Sequence, residues 1–364
     1  MSVVINEKRR SLLQAASSVG LLMGSGLASE AIAATTKQDP WKQAQAIIDR
    51  FAKPIHFRKE DFLVTSYGAK TCEVKPVEAW VSFVERKTLQ TPVAEATDCY
   101  PAIAAAIAAC HAAGGGRVVI PAGNWYCAGP IVLLSNVNVH LNAGAHVYFS
   151  NNPADYAKYG KYDCGKNGKL SMTRWEGNDC LNFSSMVYAY GQRNIALTGD
   201  DWTSILDGQA GVNFTDSPYC WWSWKGREKP SSVGDIAPGS GDWIKHQKGE
   251  TEVSLNPQNP VSLAEVAPHL TEEKRLFIQG EGDKWRRDSN YLRALAEAGV
   301  AADKRVFGLG HFLRPHMVQF INCSNVLFQG YQVTNTPFWQ HNPVGCRNVH
   351  VKNIAAIDEL HHVW

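Results

Sequence analysis

One pentapeptide recurs at a fixed interval late in the sequence: Cys323-Ser324-Asn325-Val326-Leu327 returns as Cys346-Arg347-Asn348-Val349-His350, displaced by 23 residues. Asn136-Val137 and Asn194-Ile195 open similar short strands earlier. A single β-branched strand every twenty-odd residues cannot bury its apolar side alone. Stacked on its neighbours it can, and that is the geometry of a parallel β-helix. Asparagine just before each strand suits the bend, where its side chain bonds neighbouring backbone coil after coil. Coincidence between two sites is one alternative. A leucine-rich repeat of comparable period is another, but its Leu-x-x-Leu-x-Leu signature is missing.

The rest of the chain fits coils. Strands are predicted at 117–120, 131–134, 136–141 and 145–149, with no helices between them. Val137, Val139 and Leu141 alternate with polar residues, so one face is apolar and one wetted, unlike a doubly wound parallel sheet. A first strand begins at Asp61-Phe62-Leu63-Val64, after a polar, helical lead-in over 34–60. Asp98 is placed to cap a helix over 98–113, with Pro101 in its first turn and Ile103, Ile107 and Cys110 spaced among alanines. Gly114-Gly115-Gly116 stops it, and so small a face suits a cap over the open end of the coils. The expected organisation is therefore first coils over 61–224 and further coils over 306–364. Between them lies a loop-rich excursion, 225–305, with Pro257, Pro260 and Pro268 and one helical stretch at 291–297. It forms either a groove wall or a solvated insertion.

Residues 1–33 read as an export signal. Lys8, Arg9 and Arg10 precede an apolar stretch at 12–27 and the small-residue pattern Ala31-Ile32-Ala33. Paired arginines and an apolar stretch broken by Gly20, Gly24 and Gly26 favour the twin-arginine route, so a periplasmic or extracellular location is expected. An anchoring helix is the alternative, but the stretch is shorter than the roughly 20 apolar residues a span needs. No stable membrane span is expected. The 36 basic and 34 acidic side chains are dispersed, which gives no footprint for a phosphate backbone, so a nucleic-acid partner is not expected. None of the nine cysteines forms a Cys-x-x-Cys pair or joins a histidine cluster, so no metal site is expected. Export permits disulfides, and Cys164 with Cys180 closes a short loop that a bridge can span.

No nucleophile elbow, phosphate loop or paired-histidine zinc motif is present. Asp200 and Asp201 are adjacent, so on a strand they point to opposite faces, whereas glycosidic hydrolysis needs two carboxyls aimed at one bond. They read as turn residues. Asp358 and Glu359 lie too near the end of the sequence to be held rigidly. Arg314-Pro315-His316 and Phe338-Trp339-Gln340-His341 are better placed for a ligand. Guanidinium, imidazole and indole together suit an anionic sugar: charge pairing for a carboxylate and a face for the ring C–H groups. Arg314, His316, Trp339 and His341 are the expected substrate-binding residues, with core packing as the alternative and Asn342 as a turn residue.

Three stretches resemble family 28 of the glycoside hydrolases, the polygalacturonase-like enzymes. The first runs from Tyr67-Gly68-Ala69 through the alanine-rich helix, Gly114-Gly115-Gly116 and Pro121-Ala122-Gly123 to Phe149. The second is Arg174-Trp175-Glu176-Gly177 with 195–208; the third is Gly310-His311-Phe312-Leu313-Arg314-Pro315, Asn335-Thr336-Pro337-Phe338-Trp339 and Cys346-Arg347-Asn348-Val349. The resemblance implies a right-handed, single-stranded parallel β-helix of the pectin-lyase-like kind, all-β apart from its N-terminal capping helix. It implies inverting hydrolysis of α-1,4-galacturonide or related pectic linkages, no cofactor, and a pectin-like acidic polysaccharide or oligogalacturonide as partner. The family's catalytic segments (Asn-x-Asp, Asp-Asp, Gly-His-Gly and Arg-x-Lys) follow the coil corresponding to 346–354, where this sequence instead runs through Asp358, Glu359 and His361 to Trp364. No catalytic residue is carried over. The fold is expected to be truncated at its C-terminal end, the chain inactive, and its last coil exposed to self-association through Val351 and Ile354. A non-catalytic sugar-binding or assembly protein is the alternative, and a calcium-dependent polysaccharide lyase a minor one.

Overall fold

Val118, Val139, Leu197 and Phe328 sit at the same height in four strands of one sheet, each buried, and together they show how the chain folds. In a pleated strand alternate side chains face one way, so in-register parallel strands stack like on like and turn single apolar residues into a continuous column. In the computed structural model, residues 39–81, 86–215, 219–223, 263–283 and 288–357 are described. The chain divides into two compact units, 1–54 and 55–364. The first contributes a helix, Pro40–Ala52, whose N-cap Asp39 accepts the Trp41 N–H at 3.0 Å. The predicted export signal lies outside the described residues.

The second unit winds through three parallel sheets. A six-stranded sheet runs in the order Asp61–Leu63, Gly116–Ile120, Val137–Leu141, Arg193–Gly199, Ser324–Gln329, Arg347–Lys352. A five-stranded sheet holds Gly123–Cys127, Ala145–Phe149, Ile205–Asp207, Gln332–Thr334 and Ala355–Ala356. A four-stranded sheet holds Ile131–Val132, Val187–Tyr190, Val318–Ile321 and His341–Val344. Four successive coils, from Gly116 to Val344, each give one strand to each sheet, which is a parallel β-helix topology. Val326 pairs with Val349, as the 23-residue repeat predicts.

Asparagines turn the corners. Asn136, Asn194, Asn325 and Asn348 all take left-handed φ values between 53° and 69°, where asparagine is among the least strained side chains. Asn194 Nδ2 donates to Asn136 Oδ1 at 3.3 Å and Asn348 Nδ2 to Asn325 Oδ1 at 2.8 Å, so the side chains ladder as expected. The helix Tyr100–Ala112 buries Ala102, Ile103, Ala106, Ile107 and Cys110 in the main core, and Asp98 Oδ1 accepts the Tyr100 N–H at 2.8 Å. Gly114 and Gly115 then reverse the chain at φ 92° and 110°.

The structure departs from the expected all-β, parallel-coiled fold in two ways. Two antiparallel elements interrupt the coils: the hairpin Val74–Trp80 with Arg86–Pro92, and Lys169–Trp175, which pairs with both Asn178–Asn182 and Tyr162–Asp163. The region read as loop-rich also holds three helices among the described residues, Leu263–Val266, Glu272–Asp283 and Asp288–Glu297. Leu263, Ala267, Tyr291, Leu292, Leu295 and Val300 make a second apolar core with Trp175, Cys180, Phe307, Leu313 and Phe338. Asp288–Glu297 covers the stretch 291–297 read as helical; the other two helices went unread, because each short helix owes its stability to tertiary burial rather than propensity. Cys164 lies in the main core and Cys180 in the second, and both are free thiols, so the predicted short-loop bridge is not formed.

Candidate functional site

Parity in the four-stranded sheet separates the residues that face the coil interior from those that face out. Val187, Val318 and His341 share one row, and Tyr188, Gln319 and Asn342 the next. Val318 belongs to the main core, so its row points inward and the Gln319 row points out. The 169–182 hairpin crosses this outer row. Gln319 Nε2 and His316 Nε2 both donate to the Arg174 carbonyl, at 2.8 and 2.9 Å. Thr173 Oγ1 donates to Gln319 Oε1 at 2.5 Å and Tyr188 Oη to the Met172 carbonyl at 2.7 Å. A two-point Arg174–Asp179 ion pair, 2.7 Å at each contact, braces the hairpin itself.

At the edge of this outer face the turn after Thr334 presents aromatic rings. Trp175 stacks on Phe338 with centroids 4.5 Å apart and planes 6° from parallel; Phe338 stacks on Trp339 at 5.5 Å and 10°. Trp175 and Phe338 are buried against the helices, while Trp339 is 39% exposed and offers an open ring. Arg314 donates through Nη1 to the Pro337 carbonyl at 2.8 Å and lies 5.1 Å from the centroid of the Phe338 ring. Among the described residues no carboxylate forms an ion pair with it. Burial lowers the Arg314 pKa to about 10, which leaves the group cationic at neutral pH.

His316 is buried, with its ring 5.1 Å from Phe338 and 5.4 Å from Trp339. The Arg174 carbonyl only accepts, so Nε2 carries the proton and Nδ1 keeps a bare lone pair, buried without a partner. Burial is the main cause that pushes the imidazole down to about 4, so at pH 7 it is neutral.

Of the four predicted residues, Arg314, His316 and Trp339 come together. His341 stands apart in the inward row, hydrogen-bonded to Tyr331 Oη at 2.7 Å with its ring 5.3 Å from that of Phe328, and burial lowers its pKa to about 4. Asn342, read as a turn residue, lies in a strand and faces out beside Gln319. Trp175, Gln319 and the Arg174 carbonyl escaped the sequence reading; only the register and the hairpin bring them here. Asp200 and Asp201 do serve turns: Asp200 Oδ2 accepts the Ala143 N–H and Asp201 Oδ1 the Thr203 N–H. Asp358 and Glu359 lie outside the described residues. Among the described residues, no three His, Cys, Asp or Glu side chains gather to hold a metal ion, and no helix is long and apolar enough to cross a membrane.

No family model matches the chain, and no curated protein matches it. Solved structures do. A hyperthermoactive exopolygalacturonase from Thermotoga maritima is 26% identical with a TM-score of 0.54, over 88% of this chain and 52% of its own length. A family 28 exopolygalacturonase from Yersinia enterocolitica gives 17% and 0.38, over 83% of this chain and 39% of its own. A polygalacturonase from Erwinia carotovora gives 12% and 0.36, over 79% and 60%. The chain spans about half the length of the Thermotoga protein. By fold it is a distant structural homologue of the polygalacturonase-type glycosidases.

Proposed function

We propose that this chain binds an acidic, pectin-type oligosaccharide on the outer face of the four-stranded sheet. The further proposal is that the complete site acts by inverting hydrolysis of α-1,4-galacturonide or related linkages in a right-handed β-helix. The observation that carries the binding proposal is the stack Trp175–Phe338–Trp339, ending in a half-exposed indole beside a buried guanidinium that feels the Glu176 carboxylate at a distance but forms no direct ion pair among the described residues. An aromatic face takes the apolar side of a pyranose, and a desolvated cation favours a carboxylate.

The described residues supply a holding surface rather than hydrolytic chemistry. Inversion needs a carboxylic acid and a carboxylate roughly 6.5–9.5 Å apart, flanking the bond. Of the hairpin's two carboxylates, Asp179 is occupied by Arg174, and Glu176, its pKa raised by burial, lies within electrostatic reach of Arg314 with no second free carboxylate of the hairpin to partner it. We therefore propose binding with little or no turnover by this chain. Titration with tri-galacturonate, followed by tryptophan fluorescence, is expected to saturate, and Trp339→Ala to weaken binding about tenfold, the scale of one lost stacking contact of roughly 1.4 kcal/mol. An unsaturable signal refutes the binding role, and reducing-end release from polygalacturonate above a heat-killed control refutes the lack of turnover.

A further inference from the structure

The 23-residue repeat also stacks two cysteines that the sugar-facing surface does not use. Ser324 pairs with Arg347, and the Arg347 N–H donates to the Cys323 carbonyl at 2.9 Å, so Cys346 sits one rung from Cys323. Both occupy the same corner: left-handed Asn322 and Asn325 flank Cys323, and left-handed Gly345 and Asn348 flank Cys346. One rung is about 4.8 Å, inside the roughly 4.4–6.8 Å between Cα atoms that a disulfide spans. The two S–H groups gather over one dipeptide, Cys323 Sγ toward the Ile321 carbonyl at 3.3 Å and Cys346 Sγ toward the Phe320 carbonyl at 3.2 Å.

Access to the pair is one-sided, because Cys323 is buried and Cys346 half-buried. The closeness of the two sulfurs lowers the Cys346 pKa and pushes Cys323 up. Cys72, also half-buried, is pushed up by burial instead. A half-buried thiol with a lowered pKa and a resolving thiol one rung away is the arrangement that thiol–disulfide exchange requires.

We propose that Cys323 and Cys346 form a redox pair, which a low-molecular-weight disulfide such as oxidised glutathione closes into a disulfide between adjacent coils. The Cys346 thiolate attacks one oxidant sulfur, the oxidant S–S bond breaks, and one glutathione thiolate leaves to take up a proton. Cys323 then attacks Cys346 Sγ and expels the second glutathione, which carries away the Cys323 proton. Two protein thiols lose two electrons and two protons, and one small disulfide becomes two thiols. The tie joins the coils whose strands carry Gln319 and Asn342.

Peptide mapping and intact mass of the full chain, before and after incubation with oxidised glutathione, test this. The expected result is loss of two thiols, a cross-linked peptide joining Cys323 to Cys346, reversal by dithiothreitol, and a Tm raised by roughly 3 °C or more. Cys323→Ser is expected to trap glutathione on Cys346, and Cys346→Ser to leave Cys323 free. The proposal is overturned if the wild-type chain keeps both thiols or stops at a glutathione adduct on Cys346. The wild-type map decides it whether or not either variant folds.

Discussion

Lowering the pH from about 7.5 to about 5.5 destabilises this fold through histidines that have no proton to accept in the native state. His316 and His341 are both pushed down to about 4 by burial, against an ordinary value of 6.5. Above pH 6.5 both are neutral whether the chain is folded or not, so the full stability is present. As the pH falls from 6.5 toward 4 the unfolded chain takes up protons that the folded chain refuses, and stability is lost at up to about 1.4 kcal/mol per pH unit for each group. At pH 5.5 the loss is about 1.4 kcal/mol for each histidine and about 3 kcal/mol for the two. That is a large fraction of the roughly 5–15 kcal/mol by which a domain is stable. Burial also lowers His140 and His350, which adds to the same trend. The assay is urea denaturation at the two pH values, repeated with His316→Gln, which keeps an N–H for the Arg174 carbonyl but does not titrate. The variant's loss on acidification is expected to be smaller than that of wild type by about 1.4 kcal/mol, whatever its stability at pH 7.5. Equal losses in the two proteins, or a wild-type loss under about 1 kcal/mol, refute the reasoning.

Three further outcomes follow from individual contacts. Asn348→Ala is expected to cost about 1–2 kcal/mol in urea denaturation, since it loses the 2.8 Å bond to Asn325 and forces alanine to φ 53°; Asn348→Gly recovers the backbone part of that cost. Phe338→Ala removes a ring shared by the hairpin, the helices and the guanidinium, with an expected loss of about 3–5 kcal/mol and faster proteolysis within 263–300. Arg314→Met replaces a buried cation that forms no direct ion pair among the described residues, so the fold is expected to hold its Tm or gain, while tri-galacturonate binding weakens and loses its dependence on salt.

The coil was legible because its information is local. Asparagine at a left-handed corner followed by alternating β-branched residues specifies one rung, and the displacement between Asn325 and Asn348 sets the stacking of the next. The site was legible only in part because its geometry depends on parity and on segments far apart in sequence. His341 and Trp339 are two residues apart, yet one belongs to an inward row and the other to an exposed turn, and the sequence of that stretch carries no mark of where the strand begins. The Arg174 carbonyl reaches His316 across 142 residues and Gln319 across 145, through a hairpin whose polar residues satisfy backbone groups rather than declare a strand. Of the excursion's helices only the stretch at 291–297 was legible, for a related reason. Leu263, Leu292 and Leu295 find their apolar partners on Trp175, Leu313 and Phe338, so the excursion gains its core only by packing on the residues that hold the sugar-facing ring. The excursion is thus the support of the site, and its helices and the aromatic stack should lose order together.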